Sequence, residues 1–155
     1  HGSRVRYLHE MLGFNLRMTD IAAAIGLAQL EKLDGFNASR QKNAAMLSEG
    51  LKSISGIVPA TTREGYTHVF HQYTIRAQNR DKLADFLKEK GIGTGVHYPI
   101  PIHKQPYYME LGYKDSLPVS EKAAEEVLSL PVHPALSRDD VLKVIKEVKE
   151  FYASA

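Results

Sequence analysis

Residues 13–18 combine side chains that could bind a ligand with the start of a predicted helix. The segment reads Gly-Phe-Asn-Leu-Arg-Met. Free backbone N–H groups and the helix dipole favour negative charge at a helix N-terminus, and the amide of Asn15 and the guanidinium of Arg17 would add donors there. The pattern predicts either an anion site or, as the simpler interpretation, a capped turn with Arg17 in solvent.

A second segment with unusual chemistry, residues 91–105, contains three glycines, two histidines and a tyrosine, with prolines at 99 and 101. Glycines let a backbone or a ligand approach closely, and the prolines would hold His97 and Tyr98 in place. The segment is not a phosphate-binding P-loop, because no Gly-Lys-Ser/Thr follows the glycines. The alternative interpretation is an edge strand made irregular by its glycines and prolines.

The histidines at 68 and 71 adjoin a predicted strand. Because His71 falls on the apolar face of that strand, a core histidine is the favoured interpretation. His97 and His103 are six residues apart, with no third ligand at a familiar metal-site spacing. A metal site would need distant segments to bring together four side chains, namely His68, His71, His97 and His133. We therefore predict no metal.

Composition narrows the class of protein. The chain has 155 residues, of which 43% are hydrophobic and 25% charged, close to the average globular domain. Its net charge of +2 is too small to indicate a nucleic-acid or anionic-membrane partner. No apolar run approaches the roughly 20 residues that a membrane helix needs. The absence of cysteine excludes disulfides and thiolate zinc sites, and it is compatible with the cytoplasm.

Helices dominate the first third of the predicted fold. Thr19 or Asp20 can cap a helix that runs to about Leu33, and we expect Gly35 to interrupt it. A second helix then follows, with apolar residues at helical spacing at Ala44, Leu47, Leu51 and Ile54. The two helices would form an arm ahead of the first strand.

The rest of the chain predicts a β-α-β order followed by helices. Alternating residues over 69–76 predict a strand, and Asn79 and Gly91 would start and end a helix. We expect a short strand over 92–98 and a helix around 118–128. Ser137 and Asp140 would cap the last helix. Its apolar stripe comprises Val141, Val144, Ile145, Val148 and Phe151. The order predicts a two-layer α/β domain, with helices packed on a small antiparallel or mixed sheet.

Together these segments resemble the DegT/StrS-type sugar aminotransferases. The resemblance covers nearly the whole chain in order, and its most specific part is Asn15-x-Arg17-Met18 followed by His97-Tyr98 and His103. The other matching positions are His1-Gly2, Arg6-Tyr7, Gly13-Phe14, Ala23 to Ile25, Gln29-Leu30, Leu33, Arg40, His71-Gln72-Tyr73, Gly91-Ile92, Pro99 to Ile102, Gln105-Pro106, Leu117-Pro118, Ser129-Leu130-Pro131 and Pro134.

The resemblance implies the type I aminotransferase fold, in which a small C-terminal domain closes over a large domain that carries the cofactor. Residues 1–34 would be the end of the large domain and the interdomain helix, and residues 35–155 the small domain. In the family, the lysine that holds the cofactor lies upstream, as do the acidic partner of the pyridine nitrogen and the aromatic residue on the cofactor ring. None has a counterpart here, so the resemblance implies that this C-terminal portion is inactive alone.

The resemblance also implies a reaction and its partners. The complete enzyme would use pyridoxal 5'-phosphate to transfer an amino group, usually from glutamate, to a nucleotide-linked keto sugar. It would be a cytoplasmic homodimer with a shared active site, serving cell-surface polysaccharide or secondary-metabolite biosynthesis. Asn15 and Arg17 would contact the cofactor phosphate of the other subunit, Arg17 alternatively the anionic groups of the substrate. His97 and Tyr98 would contact the sugar nucleotide across the dimer interface, and His103 is a further candidate.

Two other functions are compatible with the sequence. One is a non-catalytic regulatory relative that kept the fold, which the upstream sequence would distinguish by the presence or absence of the cofactor lysine. The other is a small binding module with a histidine metal site, which would melt at a metal-dependent temperature.

Overall fold

The structure, a computed structural model, describes residues 2–153, so His1 of the family resemblance lies outside the described residues. The chain divides into two compact units, with the boundary in sequence between Asp34 and Gly35. The elements are α1 (Asp20–Leu51), β1 (Ile57–Val58), β2 (Tyr73–Ala77), α2 (Arg80–Glu89), a 3-10 helix (Ile102–Lys104), α3 (Pro106–Glu110), α4 (Pro118–Glu126), β3 (Val127–Leu130) and α5 (Arg138–Ala153). No helix in the described part of the chain has the length and apolarity to cross a membrane.

The first unit consists of irregular backbone followed by the first part of α1. Thr19 caps this helix, because its Oγ1 accepts the backbone N–H of Ala22 at 3.2 Å. The predicted start of the helix is therefore confirmed.

The predicted break at Gly35 is wrong, because α1 runs without interruption from Asp20 to Leu51. A single glycine costs a helix about 1 kcal/mol relative to alanine, and the good helix formers on both sides can offset that. Within the second unit, α1 buries Ala44, Leu47 and Leu51 completely.

The sheet has three antiparallel strands in the order β1-β2-β3. Tyr73 of β2 pairs with Leu130 of β3, and Ile57 of β1 pairs with Ala77 of β2. The alternating burial of β2 places Tyr73, Ile75 and Ala77 in the core. The sheet is thus antiparallel, which decides between the two predicted arrangements.

The predicted first strand begins too early, since residues 69–72 lie outside β2. Phe70 has a left-handed backbone with φ of 47°, which ends the alternation. Its carbonyl and that of His71 accept hydrogen bonds from the Arg40 guanidinium at 3.4 Å instead of from a neighbouring strand. His71 is consequently exposed, and the prediction of a core histidine is wrong for both His68 and His71.

Two further strand predictions need correction. Residues 92–98 contribute only an isolated bridge, in which Gly95 pairs with Ser129. The third strand is Val127–Leu130, which adjoins α4 and overlaps the predicted helix end at 127–128. A short apolar run such as Val-Leu-Ser-Leu does not distinguish strand from buried helix by itself, and pairing with β2 decides it here.

Helices α2 and α5 complete the core. Leu83 and Leu87 of α2 are fully buried, and Gly91, with φ of 75°, ends the helix as predicted. Asn79 occupies the N-cap position as predicted, but in a left-handed conformation and without a side-chain capping bond.

The predicted capping of α5 is confirmed. Asp140 donates its N–H to Ser137 Oγ at 3.1 Å, and Ser137 donates its N–H to Asp140 Oδ2 at 2.9 Å. Four residues of the predicted stripe are buried, and Phe151 packs against the core. The described fold is therefore the predicted one, with helices packed on a small sheet.

Candidate ligand-binding site

A cavity of about 600 Å³ lies within the second unit. It is bounded by the 97–103 segment, by α3 and the turn that follows, and by α4. Most of its lining is apolar or aromatic, including Tyr108 and Tyr113, with Asp115 and Ser120 among the few polar contributors. This size and lining are typical of sites for small organic ligands. The structure brings together His97, Tyr98 and His103 in its walls, which are the three candidates of this segment.

The imidazole of His97 is held by polar side chains from the sheet side. Its Nδ1 lies 3.1 Å from Nε2 of Gln72 and 3.3 Å from Oγ of Ser129. Ser129 Oγ in turn lies 2.9 Å from Thr74 Oγ1. The ring also covers Gly95, where an added Cβ would lie 2.6 Å from Cε1 of His97. A side chain at position 95 would therefore displace the ring.

Tyr98 presents its ring to the surface beside that imidazole. Its ring meets the His97 ring edge to face, with 5.7 Å between centroids. The side chain is largely exposed, with a relative exposure of 74%. Its phenol is therefore accessible to a ligand without any rearrangement of the core.

His103 is the buried histidine of the site and is bonded to Glu121. Its Nε2 lies 3.0 Å from Glu121 Oε1, which also accepts the backbone N–H of Leu117 at 2.9 Å. The hydrogen bond from His103, followed by the one from Leu117, lowers the pKa of the Glu121 carboxyl from its ordinary value. The pair ties the 3-10 helix to the start of α4 and so holds two walls of the cavity together.

Asn15 and Arg17 belong to the first unit, whereas the cavity residues belong to the second. Arg17 Nε donates to Asn15 Oδ1 at 3.0 Å, and both side chains are exposed. This bond occupies the amide oxygen, so Asn15 Nδ2 and the terminal nitrogens of the guanidinium remain on the pair as donors. A set of donors with one full positive charge suits a phosphate or carboxylate.

Sequence reasoning did not assign a role to Gln72, Ser129 or Glu121. Gln72 and Ser129 stood within segments that carry the family resemblance, but nothing in their local pattern connects them to His97. Within residues 2–153, no three His, Asp or Glu side chains are grouped so as to hold a metal ion. His68, one of the four metal candidates, instead accepts the Phe70 N–H on its Nδ1 at 2.8 Å.

Similar proteins come from several bacteria. A protein of Geobacillus stearothermophilus called "Pleiotropic regulatory protein" is 46% identical over 98% of this chain. The dTDP-3-amino-3,4,6-trideoxy-alpha-D-glucose transaminase of Streptomyces venezuelae is 40% identical over 97% of this chain. The chain spans 42% and 40% of the lengths of these two relatives.

Solved structures share the fold. S. venezuelae DesV, crystallised in complex with a ketimine intermediate, superposes with a TM-score of 0.86 at 37% identity, covering 97% of this chain and 41% of DesV. Spr1654 of Streptococcus pneumoniae, in its PLP-form, superposes with a TM-score of 0.78 at 27% identity, covering 89% of this chain and 36% of that chain. The small C-terminal domain of the type I aminotransferase fold is thus the fold of this chain.

The family is shown by a protein-family model that matches almost the full length of this chain. That model covers residues 1–149. This chain belongs to the DegT/DnrJ/EryC1/StrS aminotransferase family.

Proposed function

We propose that this chain is the C-terminal portion of a pyridoxal-phosphate-dependent aminotransferase that acts on a nucleotide-linked keto sugar, with glutamate as amino donor. The observation that carries the proposal is the cavity lined by His97, Tyr98 and His103, in a chain that belongs to an aminotransferase family. The substrate class is supported by the name of the S. venezuelae relative, a transaminase of a dTDP-linked sugar. Residues 1–34 would form the end of the large domain and the interdomain helix, and residues 35–155 would form the small domain.

The donor pair of the first unit fits a cofactor phosphate. Asn15 would donate its amide N–H to that phosphate, and Arg17 would add positive charge, both reaching the partner subunit of a homodimer. Bound pyridoxal phosphate supplies the electron sink that amino transfer requires. The lysine that holds the cofactor would lie in the upstream part of the complete protein, so this portion would be inactive alone. We assign the enzyme to cytoplasmic synthesis of sugars for cell-surface polysaccharides or secondary metabolites.

The cavity residues would bind and orient the acceptor sugar nucleotide. The imidazole of His97 and the phenol of Tyr98 offer hydrogen bonds to sugar hydroxyls or phosphate oxygens. The aromatic and aliphatic lining would exclude water from the bound part of the ligand. His103, bonded to Glu121, would keep the wall in place and thereby reduce the ordering cost of binding.

The double variant His97→Ala with Tyr98→Phe tests the assignment of the cavity. In the complete protein we expect it to raise KM for the nucleotide sugar by about 10- to 100-fold, the equivalent of two lost hydrogen bonds. The half-reaction with glutamate should remain nearly intact, because glutamate lacks the sugar and nucleotide groups that His97 and Tyr98 would contact. Stopped-flow spectra of the two half-reactions, recorded separately, measure both effects.

Tyr107→Phe is the matched control, because Tyr107 is exposed but does not line the cavity. It should leave both half-reactions unchanged. Equal damage to both half-reactions in the double variant would mean that His97 and Tyr98 support the cofactor or the fold. If neither half-reaction were impaired, the cavity would not be part of the substrate site.

Asn15→Ala should weaken retention of the cofactor in the complete protein more than it weakens folding. The lost bond is to a charged phosphate and is worth about 1.5–3 kcal/mol, or roughly 10- to 150-fold in cofactor dissociation constant. Because the bond is proposed to reach across the dimer, mixing this variant with one that lacks the cofactor lysine should restore one good site per heterodimer.

The control for this mixture is each variant incubated alone, which should stay impaired. Activity is assayed after subunit exchange, and cofactor dissociation is followed by absorbance. A mixture that remains as inactive as its two components would contradict a site shared between subunits.

A second candidate is a non-catalytic regulatory protein with the same fold. The observation that supports this candidate is the name of the relative that is 46% identical to this chain, "Pleiotropic regulatory protein". The presence of the cofactor lysine in the complete protein, together with a spectral half-reaction with glutamate, would decide for the enzyme.

A further inference from the structure

The neighbours of His97 determine which of its ring nitrogens can carry the proton. The nitrogen of the Gln72 amide lies 3.1 Å from Nδ1 of His97 and can only donate a hydrogen bond. Nδ1 must then accept, so the neutral ring carries its proton on Nε2. The second neighbour of Nδ1, the Ser129 hydroxyl at 3.3 Å, can donate as well as accept and is therefore compatible with this arrangement.

The backbone around His97 holds the imidazole within hydrogen-bonding distance of Gln72 and Ser129. Gly95, two residues earlier, donates its N–H to the Ser129 carbonyl at 3.1 Å and accepts the Ser129 N–H at 2.7 Å. Ser129 itself is buried in β3, and its hydroxyl is 2.9 Å from that of Thr74 in β2. The ring of His97, which is an exposed side chain, thus lies over Gly95 and beside two paired strands, and these contacts restrict its orientation on that side.

We propose that Gln72 is a positioning residue that holds His97 as an Nε2–H donor for the ligand of the cavity. The residue itself lies outside the cavity lining and acts through His97. With Nδ1 occupied, Nε2–H is the polar atom of the ring left for a ligand, so the site selects an acceptor oxygen, such as that of a hydroxyl, a carbonyl or a phosphate. The identity of that ligand as a nucleotide sugar rests on the proposed function.

The tautomer of His97 can be read directly in the ¹⁵N-labelled 155-residue chain. Long-range ¹H–¹⁵N correlation at alkaline pH distinguishes a protonated from an unprotonated ring nitrogen, and His97→Asn identifies the signals of this residue among the 7 histidines. We expect an unprotonated Nδ1 and a protonated Nε2 in the unchanged chain. A ring that carries its proton on Nδ1 would overturn the proposal.

Substitution of Gln72 should change the tautomer in a direction that depends on the new side chain. Gln72→Glu places an acceptor at Nδ1 and should move the proton there, whereas Gln72→Leu should yield a mixture of tautomers. Gln41→Glu is the matched control, since Gln41 bonds to the carbonyl of His68 and not to His97. Thermal melting confirms that each variant is folded. If folded Gln72→Glu kept its proton on Nε2 of His97, the positioning role of Gln72 would be wrong.

Kinetics of the complete protein separate this proposal from the proposed function. Gln72→Leu should raise KM for the nucleotide sugar about 2- to 3-fold, because only part of the rings keeps the Nε2–H donor, and should add nothing in a protein that already carries His97→Ala. An altered tautomer without a change in KM would support the positioning role and would mean that the sugar nucleotide does not bind in the cavity. A raised KM with an unaltered tautomer would overturn the positioning role and leave the proposed function standing.

Discussion

Replacing Leu47 with alanine is expected to lower the free energy of unfolding by about 2–5 kcal/mol. Leu47 is completely buried, on the stretch of α1 that belongs to the second unit. The substitution removes apolar contacts and leaves a cavity that the surrounding side chains refill only in part. Urea denaturation of the 155-residue chain, followed by circular dichroism, measures the loss.

Leu30→Ala is the control, because it makes the same chemical change in the same helix. Leu30 is 63% exposed, and exposed substitutions of this kind usually change stability by about 0.5 kcal/mol or less. Similar losses for both variants would contradict the difference in packing that the structure gives to the two parts of α1.

Arg80→Met is expected to destabilise the chain by about 2–4 kcal/mol, because it removes the donor from one buried and one partly buried carbonyl group. Arg80 is 7% exposed, and its Nη1 donates to the carbonyls of Ala124 at 3.1 Å and Val127 at 2.9 Å. Ala124 lies in the last turn of α4, whose carbonyls lack partners within the helix, and Val127 is the first residue of β3. Methionine fills similar volume but cannot donate.

Arg80→Lys should recover only part of the loss, since an ammonium group cannot reproduce the fork of a guanidinium. Arg76→Met is the control for charge. Its guanidinium is exposed and bonds to Glu126, and exposed ion pairs contribute up to about 1 kcal/mol. Chemical denaturation of the three variants should rank Arg80→Met as the least stable, and an equal effect of Arg76→Met would contradict the role of the buried carbonyls.

The sequence alone predicted the elements whose signals are local. The capping pair Ser137 and Asp140 and the apolar stripe that follows predicted α5 correctly. Gly91 marked the end of α2, because a residue without a side chain adopts the left-handed conformation at no steric cost. The order of motifs also indicated the family, which the match over residues 1–149 shows.

Elements that depend on distant partners were predicted less well. The strand Val127–Leu130 exists because β2 pairs with it, and its four residues have no periodicity of their own. His71 lies outside the core because Phe70 turns the backbone before β2 begins. The helix passes through Gly35 because the helical residues on both sides offset the cost of one glycine.

The same division applies to the candidate site. Residue types and family resemblance were sufficient to select His97, Tyr98 and His103, which the structure places around one cavity. Gln72 and Ser129, separated from His97 by 25 and 32 positions, could not be assigned from the sequence. Only the tertiary structure brings them to the imidazole, because strand pairing between β2 and β3, together with the bridge at Gly95, determines which distant side chains meet there.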